Sequence, residues 1–174
     1  MRKQQENPGR NSVAVYALRI THYIMSSERL TFEMGLYKAT FPVDLRYCES
    51  HFWFNTLENG KTRCGLTAYA ARLLSDLFRI EWKVYSGESI QAGQVLGEVE
   101  STKASSELYA PMTGTLSDLN SAAVNDPSLL TIDPYEHWLL EFGAKPANTL
   151  DATAYVAFLA AGWEETVKML KGQL

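Results

Sequence analysis

One lysine sits in an unusual setting, the run Glu98-Val99-Glu100-Ser101-Thr102-Lys103-Ala104-Ser105-Ser106-Glu107. Its amine is a group that can be acylated, with loss of the positive charge. The other constellations are poor. His22, His51 and His137 are scattered, with no H-E-x-x-H spacing, and Cys48 and Cys64 form no C-x-x-C pair. Two cysteines build neither a disulfide framework nor, by themselves, a structural zinc site. Cys64, in apolar surroundings, reads as a buried structural thiol. There is no G-x-S-x-G elbow, no phosphate-binding glycine loop and no Rossmann glycine pattern. The chain thus lacks its own catalytic apparatus and reads as a non-enzyme. For Lys103 the spacing leaves two readings: a surface lysine screened by neighbouring carboxylates, or a reactive group that a loop tip presents to other proteins.

The elements that must position Lys103 are short. Residues 93–101 and 106–115 are strand candidates joined through Thr102-Lys103-Ala104-Ser105, which places Lys103 at an exposed hairpin tip. Val95 and Val99 alternate on one face before the turn, and Leu108 and Ala110 after it, until Pro111 and Gly114 interrupt. Upstream, residues 41–66 read as short strands with a tight turn at Asn59-Gly60. Thr67 is an N-cap for a helix carrying Ala70, Leu73, Leu74 and Leu77, and residues 78–85 return to strand. Downstream come a turn at Asn125-Asp126-Pro127, a short piece over 128–131, another turn at Asp133-Pro134-Tyr135, and a last strand over 138–142. Asp151 caps a C-terminal helix with Ala154, Tyr155, Phe158 and Leu159 on one stripe. Gly162 is expected to break it, and Trp163, Val167 and Leu170 mark a second amphipathic piece. That tail either packs back on the sheet or offers a face to a partner. No 20–50-residue period repeats.

Composition bounds the rest. Apolar residues make up 46% of the 174 and charged residues 21%, enough for a continuous core in one domain and unlike a disordered chain. No run of 18 uncharged apolar residues exists to span a membrane. The net charge of −4 speaks against a globally basic nucleic-acid binder. Residues 1–40 carry six basic and three acidic residues, whereas 41–142 carry seven and fourteen. The basic leader fails as a secretory signal because Arg19 interrupts its apolar run. As a mitochondrial presequence it has Glu6 and Glu28 out of place. The plainest reading is a variable, disordered extension over 1–40, with translation starting at Met25 or Met34 as an option.

The pattern Glu100-Ser101-Thr102-Lys103-Ala104, then Tyr109-Ala110-Pro111 and Gly114, resembles the lipoyl-lysine hairpin of the glycine-cleavage H-protein family. Phe41-Pro42-Val43-Asp44-Leu45-Arg46-Tyr47 and His51-Phe52-Trp53 resemble its opening strand, and Gly65-Leu66-Thr67-Ala68-Tyr69-Ala70 and Leu74-Ser75-Asp76 its helix. Leu119-Asn120, Pro127, Asp133-Pro134-Tyr135 and Trp138-Leu139 follow in order, and residues 150–159 resemble its C-terminal helix. The resemblance implies a mostly β fold, a lipoyl/biotinyl-type barrel-sandwich hybrid of short antiparallel strands with a small internal helix and a C-terminal helix. It implies three parts: the 1–40 extension, an H-like carrier domain over 41–142, and a helical tail over 143–174. It also implies lipoate in amide linkage to Lys103, with Glu100, Ser101, Thr102 and Ala104 forming the recognised surroundings. Loss of the lysine charge would leave Glu98, Glu100 and Glu107 as an acidic collar that steers docking. The implied partners are glycine decarboxylase, aminomethyltransferase, dihydrolipoamide dehydrogenase, and a lipoate ligase or lipoyl/octanoyl transferase, in the cytoplasm or, in a eukaryote, the mitochondrion. Biotin carriers place methionines beside their lysine, and acyltransferase lipoyl domains an acidic residue before it; Thr102 and Ala104 match neither.

Some positions depart from the family pattern. Phe52 stands where an acidic residue is usual between His and Trp, Ser75 replaces a glycine, Lys83 a proline, and Thr131-Ile132 an asparagine-bearing pair. The stretch Asp133-Pro134-Tyr135-Glu136-His137-Trp138 is a residue shorter and has lost two glycines, which reshapes a loop because other residues resist positive φ. These departures bear on partners rather than fold. Alongside a glycine-cleavage carrier stand an H-like lipoyl carrier in sulfur oxidation or lipoyl relay, and an unmodified H-like module that binds a partner through its C-terminal helix.

Overall fold

Alternation of apolar and polar residues in short runs, cut by turn residues, produces many brief strands rather than a few long ones. A computed structural model describes residues 28–172. In chain order it contains β1 (Arg29–Met34), β2 (Tyr37–Pro42), β3 (Arg46–Tyr47), β4 (Phe52–Thr56), β5 (Thr62–Leu66), α1 (Ala68–Leu74) and β6 (Leu77–Trp82). There follow β7 (Ser89–Ile90), β8 (Val95–Ser101), β9 (Ser105–Tyr109), β10 (Gly114–Leu119), α2 (Ser121–Asn125), α3 (Leu129–Ile132), β11 (Leu140–Phe142) and α4 (Ala152–Gly172). Every strand pairing is antiparallel. The sheets are β1-β2, β3-β4-β5-β11-β10-β7, and β6-β8-β9. The mostly β class with a small internal and a C-terminal helix is as expected.

Two apolar cores hold these elements. One lies between the larger sheets and contains Phe52, Phe54, Cys64, Leu96, Val99, Leu116 and Phe142, all essentially buried. The other is aromatic and joins both ends of the described chain to the body. In it the Tyr155 ring stacks on Tyr47 at 4.8 Å, and Phe41 meets both edge-on at 5.2 and 5.9 Å. Such pairs each add about 0.5–1.5 kcal/mol beyond area burial.

Several expectations are corrected. The boundary at 40/41 falls inside β2: residues 29–42 form a hairpin whose Phe32, Met34, Ala39 and Phe41 are buried in the aromatic core, so ordered chain starts well before 41. The readings of residues 1–27 lie outside the described residues. Thr67 does cap α1, its Oγ1 accepting from the Ala70 N–H at 3.3 Å. The helix stops at Leu74, because Ser75 adopts φ of 51°, and Leu77 opens β6 instead. Two single-turn helices, α2 capped by Asn120 and α3, occupy a stretch read as turns. Gly162 does not break the C-terminal helix. That helix runs 21 residues because its buried stripe, Ala152, Tyr155, Leu159 and half-buried Trp163, continues past the glycine; of the residues expected on the stripe, Ala154 faces outward and Phe158 lies at its edge, its ring 6.0 Å from that of His51.

Candidate functional site

The Lys103 hairpin owes its geometry to a serine and a glycine. β8 and β9 pair down to Glu100 and Ser105, leaving residues 101–104 as the connection. Ser101 organises that turn. Its N–H donates to the Ala104 carbonyl at 2.9 Å and its Oγ donates to the same oxygen at 3.1 Å. The same Oγ accepts from the Lys103 and Ala104 N–H groups at 3.3 and 3.2 Å. A hydroxyl that closes a turn in this way replaces backbone bonds the tip cannot make with β-ladder partners. Thr102 Oγ1 donates to Asp76 Oδ2 at 3.5 Å, tying the tip to the link between α1 and β6. On the other side of the hairpin, Gly97 lets β6 run close beside β8, with Trp82 opposite it in the ladder. A Cβ there would lie 2.2 Å from the Glu81 carbonyl oxygen, so only glycine fits.

Lys103 itself is exposed, as are Thr102, Ala104 and Ser105. The five residues singled out from the sequence, Glu100, Ser101, Thr102, Lys103 and Ala104, are therefore contiguous in space as well as in sequence, and their roles differ. Ser101 and Thr102 shape and anchor the turn. Glu100 faces sideways, its carboxylate 3.0 Å from Arg79 of β6, which also reaches Glu81 at 2.7 Å. Glu98 is paired with Lys83 at 2.6 Å, and that hydrogen bond holds its carboxyl below the usual range and raises the Lys83 ammonium. Glu107 accepts from the Tyr109 hydroxyl. The expected acidic collar is thus corrected: two of its three carboxylates are matched by cations, Arg79 on β6 and Lys83 just past its end. β6 pairs with β8 in a register that sets Arg79 opposite Glu100, and short exposed charges find each other across strands.

Concave surface surrounds the tip on the helix side. A cavity of about 530 Å³ is lined by Lys103, Ala104, Ser106, Leu73, Leu74 and Leu170. A second of about 230 Å³ brings Lys103 beside Arg72, Asp76, Tyr37, Thr131 and Pro134. Beyond Leu73, Leu74 and Ser106, an apolar cavity of about 220 Å³ follows β9 to Phe52, Leu66 and His51. His51 is held at φ of 63° with Nδ1 at 2.9 Å from the Tyr155 hydroxyl, and its burial lowers its pKa to about 4, so it is a neutral ring at pH 7. The shortened 133–138 loop is pinned by Trp53 Nε1 donating to the Pro134 carbonyl at 2.9 Å and by Tyr135. The Tyr135 hydroxyl donates to the Thr40 carbonyl at 2.7 Å and accepts from the Ala68 N–H at 3.2 Å.

Sequence reasoning missed Asp76 as the anchor of Thr102 and Leu170 as a neighbour of Lys103. Leu170 had a legible signal, its seven-residue spacing from Trp163 on one helical stripe; Asp76 had none, since its partner lies 26 residues away. His137 and His51 are not brought together into a ligand set, and among the described residues no group of three His, Cys, Asp or Glu is arranged to hold a metal ion. Cys64 is buried, which pushes its thiol pKa well up, in keeping with a structural role.

Comparison with known proteins gives this hairpin its context. The family model for the glycine cleavage H-protein matches residues 45–161. The glycine cleavage system H protein of Streptomyces coelicolor is 39% identical over 123 residues, covering 69% of this chain and 98% of that protein. A probable glycine cleavage system H protein of Thermococcus gammatolerans is 38% identical over 134 residues, covering 73% and 96%. Among solved structures, a crystal structure of a glycine cleavage system H protein from Mycobacterium marinum is similar with a TM-score of 0.60 at 35% identity, covering 67% of this chain and 97% of that one. By its hairpin, its sheets and its sequence across residues 45–161, the chain belongs to the glycine cleavage H-protein family, whose members are lipoyl carriers rather than catalysts.

Proposed function

We propose that Lys103 carries lipoate through an amide on Nζ, and that the chain shuttles an aminomethyl group and reducing equivalents between enzymes of the glycine cleavage system. The observation that carries this reading is an exposed lysine at the apex of a turn whose backbone is held by Ser101 and Thr102. A rigid base with a free side chain is what a swinging arm needs: the base fixes where the arm starts, and the tether gives a high effective concentration at each site visited. The surroundings fit the group. Acylation removes the ammonium charge, and the space next to it is walled by Leu73, Leu74 and Leu170, which accept an alkyl chain without leaving polar groups unpaired. When bound, lipoate would supply a dithiolane whose disulfide is reduced as one sulfur takes up the aminomethyl group; after that group passes to its acceptor, an oxidising enzyme would return the freed dithiol to the disulfide.

The chain's own residues present and restrict. Ser101 keeps the turn closed while Lys103 Nζ moves, Thr102 ties it to Asp76, and Arg79 and Lys83 offset part of the negative charge of Glu81, Glu98 and Glu100 on the β6-β8-β9 sheet. The partners in this reading are glycine decarboxylase, aminomethyltransferase and dihydrolipoamide dehydrogenase, with a lipoate ligase or lipoyl/octanoyl transferase loading the lysine. A cytoplasmic location, mitochondrial in a eukaryotic cell, belongs to the same reading. Co-expression with a lipoate ligase followed by intact-mass and peptide mass measurement tests it: one lipoyl group on Lys103 is expected, and glycine–bicarbonate exchange with glycine decarboxylase should then depend on it. An amine that stays unmodified removes the carrier role, whereas full lipoylation without exchange moves the chain to another lipoate-dependent pathway.

A further inference from the structure

The two segments outside the family match meet each other beside Lys103. The match begins at residue 45 and ends at 161, so the β1-β2 hairpin and the last turns of α4 lie beyond it. Trp163 of α4 meets Phe32 of β1 edge-on at 5.6 Å, and both rings rest on Tyr69 of α1, at 6.4 and 6.2 Å. The Tyr69 hydroxyl lies 3.1 Å from Thr166 Oγ1, which itself donates to the Gly162 carbonyl at 3.2 Å. That bond fixes the rotation of α4 about its axis. With the rotation fixed, Leu170 lies two turns beyond Trp163 on the same stripe, about 10 Å further along. Met34, Trp163 and Leu170 then share one cavity with Lys103, of about 200 Å³, together with Arg72, Leu73 and Ser75. Leu170 also reaches the larger cavity beside the tip. On the opposite flank, Glu107 and Ser105 of β9 stand open to solvent.

We propose that Leu170, with Met34 and Trp163 behind it, is a specificity-determining wall that closes the α4 side of Lys103 to large partners and leaves the β8-β9 side open to them. A small acylating reagent passes between wall and tip, but a protein that clamps the hairpin from both flanks collides with the end of α4. The chain thereby selects for partners that grip the sheet face. The wall stands on geometry that does not require lipoate; its consequence for lipoate-handling enzymes rests on the function proposed above.

The experiment uses the full chain and two amine acylating reagents of the same chemistry, N-hydroxysuccinimide acetate and an N-hydroxysuccinimide ester of a branched polyethylene glycol. Peptide mass measurement gives the rate of each at Lys103. In Leu170→Ala the bulky-to-small rate ratio should rise about threefold or more, within the range over which on-rates vary among variants of one interface, while the small-reagent rate holds. Leu170→Trp, which thickens the wall, should lower the ratio. Helix content by circular dichroism shows that α4 persists in both. A ratio unchanged in both variants with α4 intact overturns the wall. Lipoate ligase assayed on the same proteins separates the two readings: a shifted ratio with no lipoylation of any variant keeps the wall and removes the lipoyl role, and efficient lipoylation with a flat ratio does the reverse.

Discussion

At the scale of single residues, the site divides between the group that would react and the groups that hold it. Lys103 is exposed and makes no side-chain contact that packs the core, so its replacement leaves the fold alone. Lys103→Arg keeps the charge and the length of the side chain but removes the amine that forms an amide. It is expected to abolish lipoylation and glycine–bicarbonate exchange while the melting temperature stays within about 1 °C, equivalent to a few tenths of a kcal/mol. A melting temperature lowered by several degrees would mean that Lys103 serves the fold. The exposure of Lys103 was legible because Ser, Thr and Ala between two alternating runs leave nothing to bury. What Glu98 and Glu100 do was not legible. Their partners Lys83 and Arg79 are 15 and 21 residues away; the β6-β8 register sets Arg79 opposite Glu100, and Lys83, just past the end of β6, reaches back to Glu98. Local composition predicts a collar; cross-strand pairing neutralises most of it.

At the scale of elements, two glycines show why a residue type alone is a weak guide to position. Gly162 was expected to end a helix, yet it sits exposed in the middle of α4 with helical neighbours on both sides, because Tyr155, Leu159 and Trp163 anchor the stripe across it. A Cβ built there meets nothing within 4 Å. Gly162→Ala therefore removes conformational freedom from the unfolded chain at no steric cost and should stabilise the protein by about 0.5–1 kcal/mol. Gly97 is the opposite case. A Cβ there would strike the β6 backbone, so Gly97→Ala has to push β6 off β8, and it should destabilise by about 3 kcal/mol or more. Urea unfolding of the two variants checks both signs; a destabilised Gly162→Ala, or a neutral Gly97→Ala, would show that these backbones do not run as described. Apolar periodicity found α1, β8, β9 and α4. It missed α2 and α3, whose single turns are too short for any period to register.

At the scale of the whole molecule, the aromatic core decides how both termini of the described chain attach to the body, and one half-buried histidine ties its stability to pH. This core was illegible in advance because Phe32, Phe41, Tyr47, Tyr69 and Tyr155 are spread over more than a hundred residues and each reads locally as an ordinary apolar position. His51 lies within it, 4.7 Å from the Tyr69 ring and hydrogen-bonded to Tyr155, whose hydroxyl also lies 3.1 Å from Thr67 Oγ1. The rings facing it are those of Tyr69, Tyr155 and Phe158, and burial raises the Tyr155 phenol above its ordinary range. Burial lowers the His51 pKa from 6.5 to about 4, so the unfolded chain takes up a proton at higher pH than the folded one does. The stabilisation from keeping His51 neutral is complete above pH 6.5. It drains away as pH falls toward 4, for a loss of about 3 kcal/mol. The carboxylates add their own losses in the lower part of that window, so the histidine's share is read by difference. His51→Asn suits this comparison, since asparagine tolerates the positive φ and does not titrate. Between pH 6.5 and 4.5 the urea midpoint of the wild type should fall faster than that of His51→Asn, by up to about 1.4 kcal/mol per pH unit where only the unfolded state is protonated. Parallel pH profiles for the two proteins would mean that His51 titrates alike folded and unfolded, and that the junction of Tyr155 with the body is open to water.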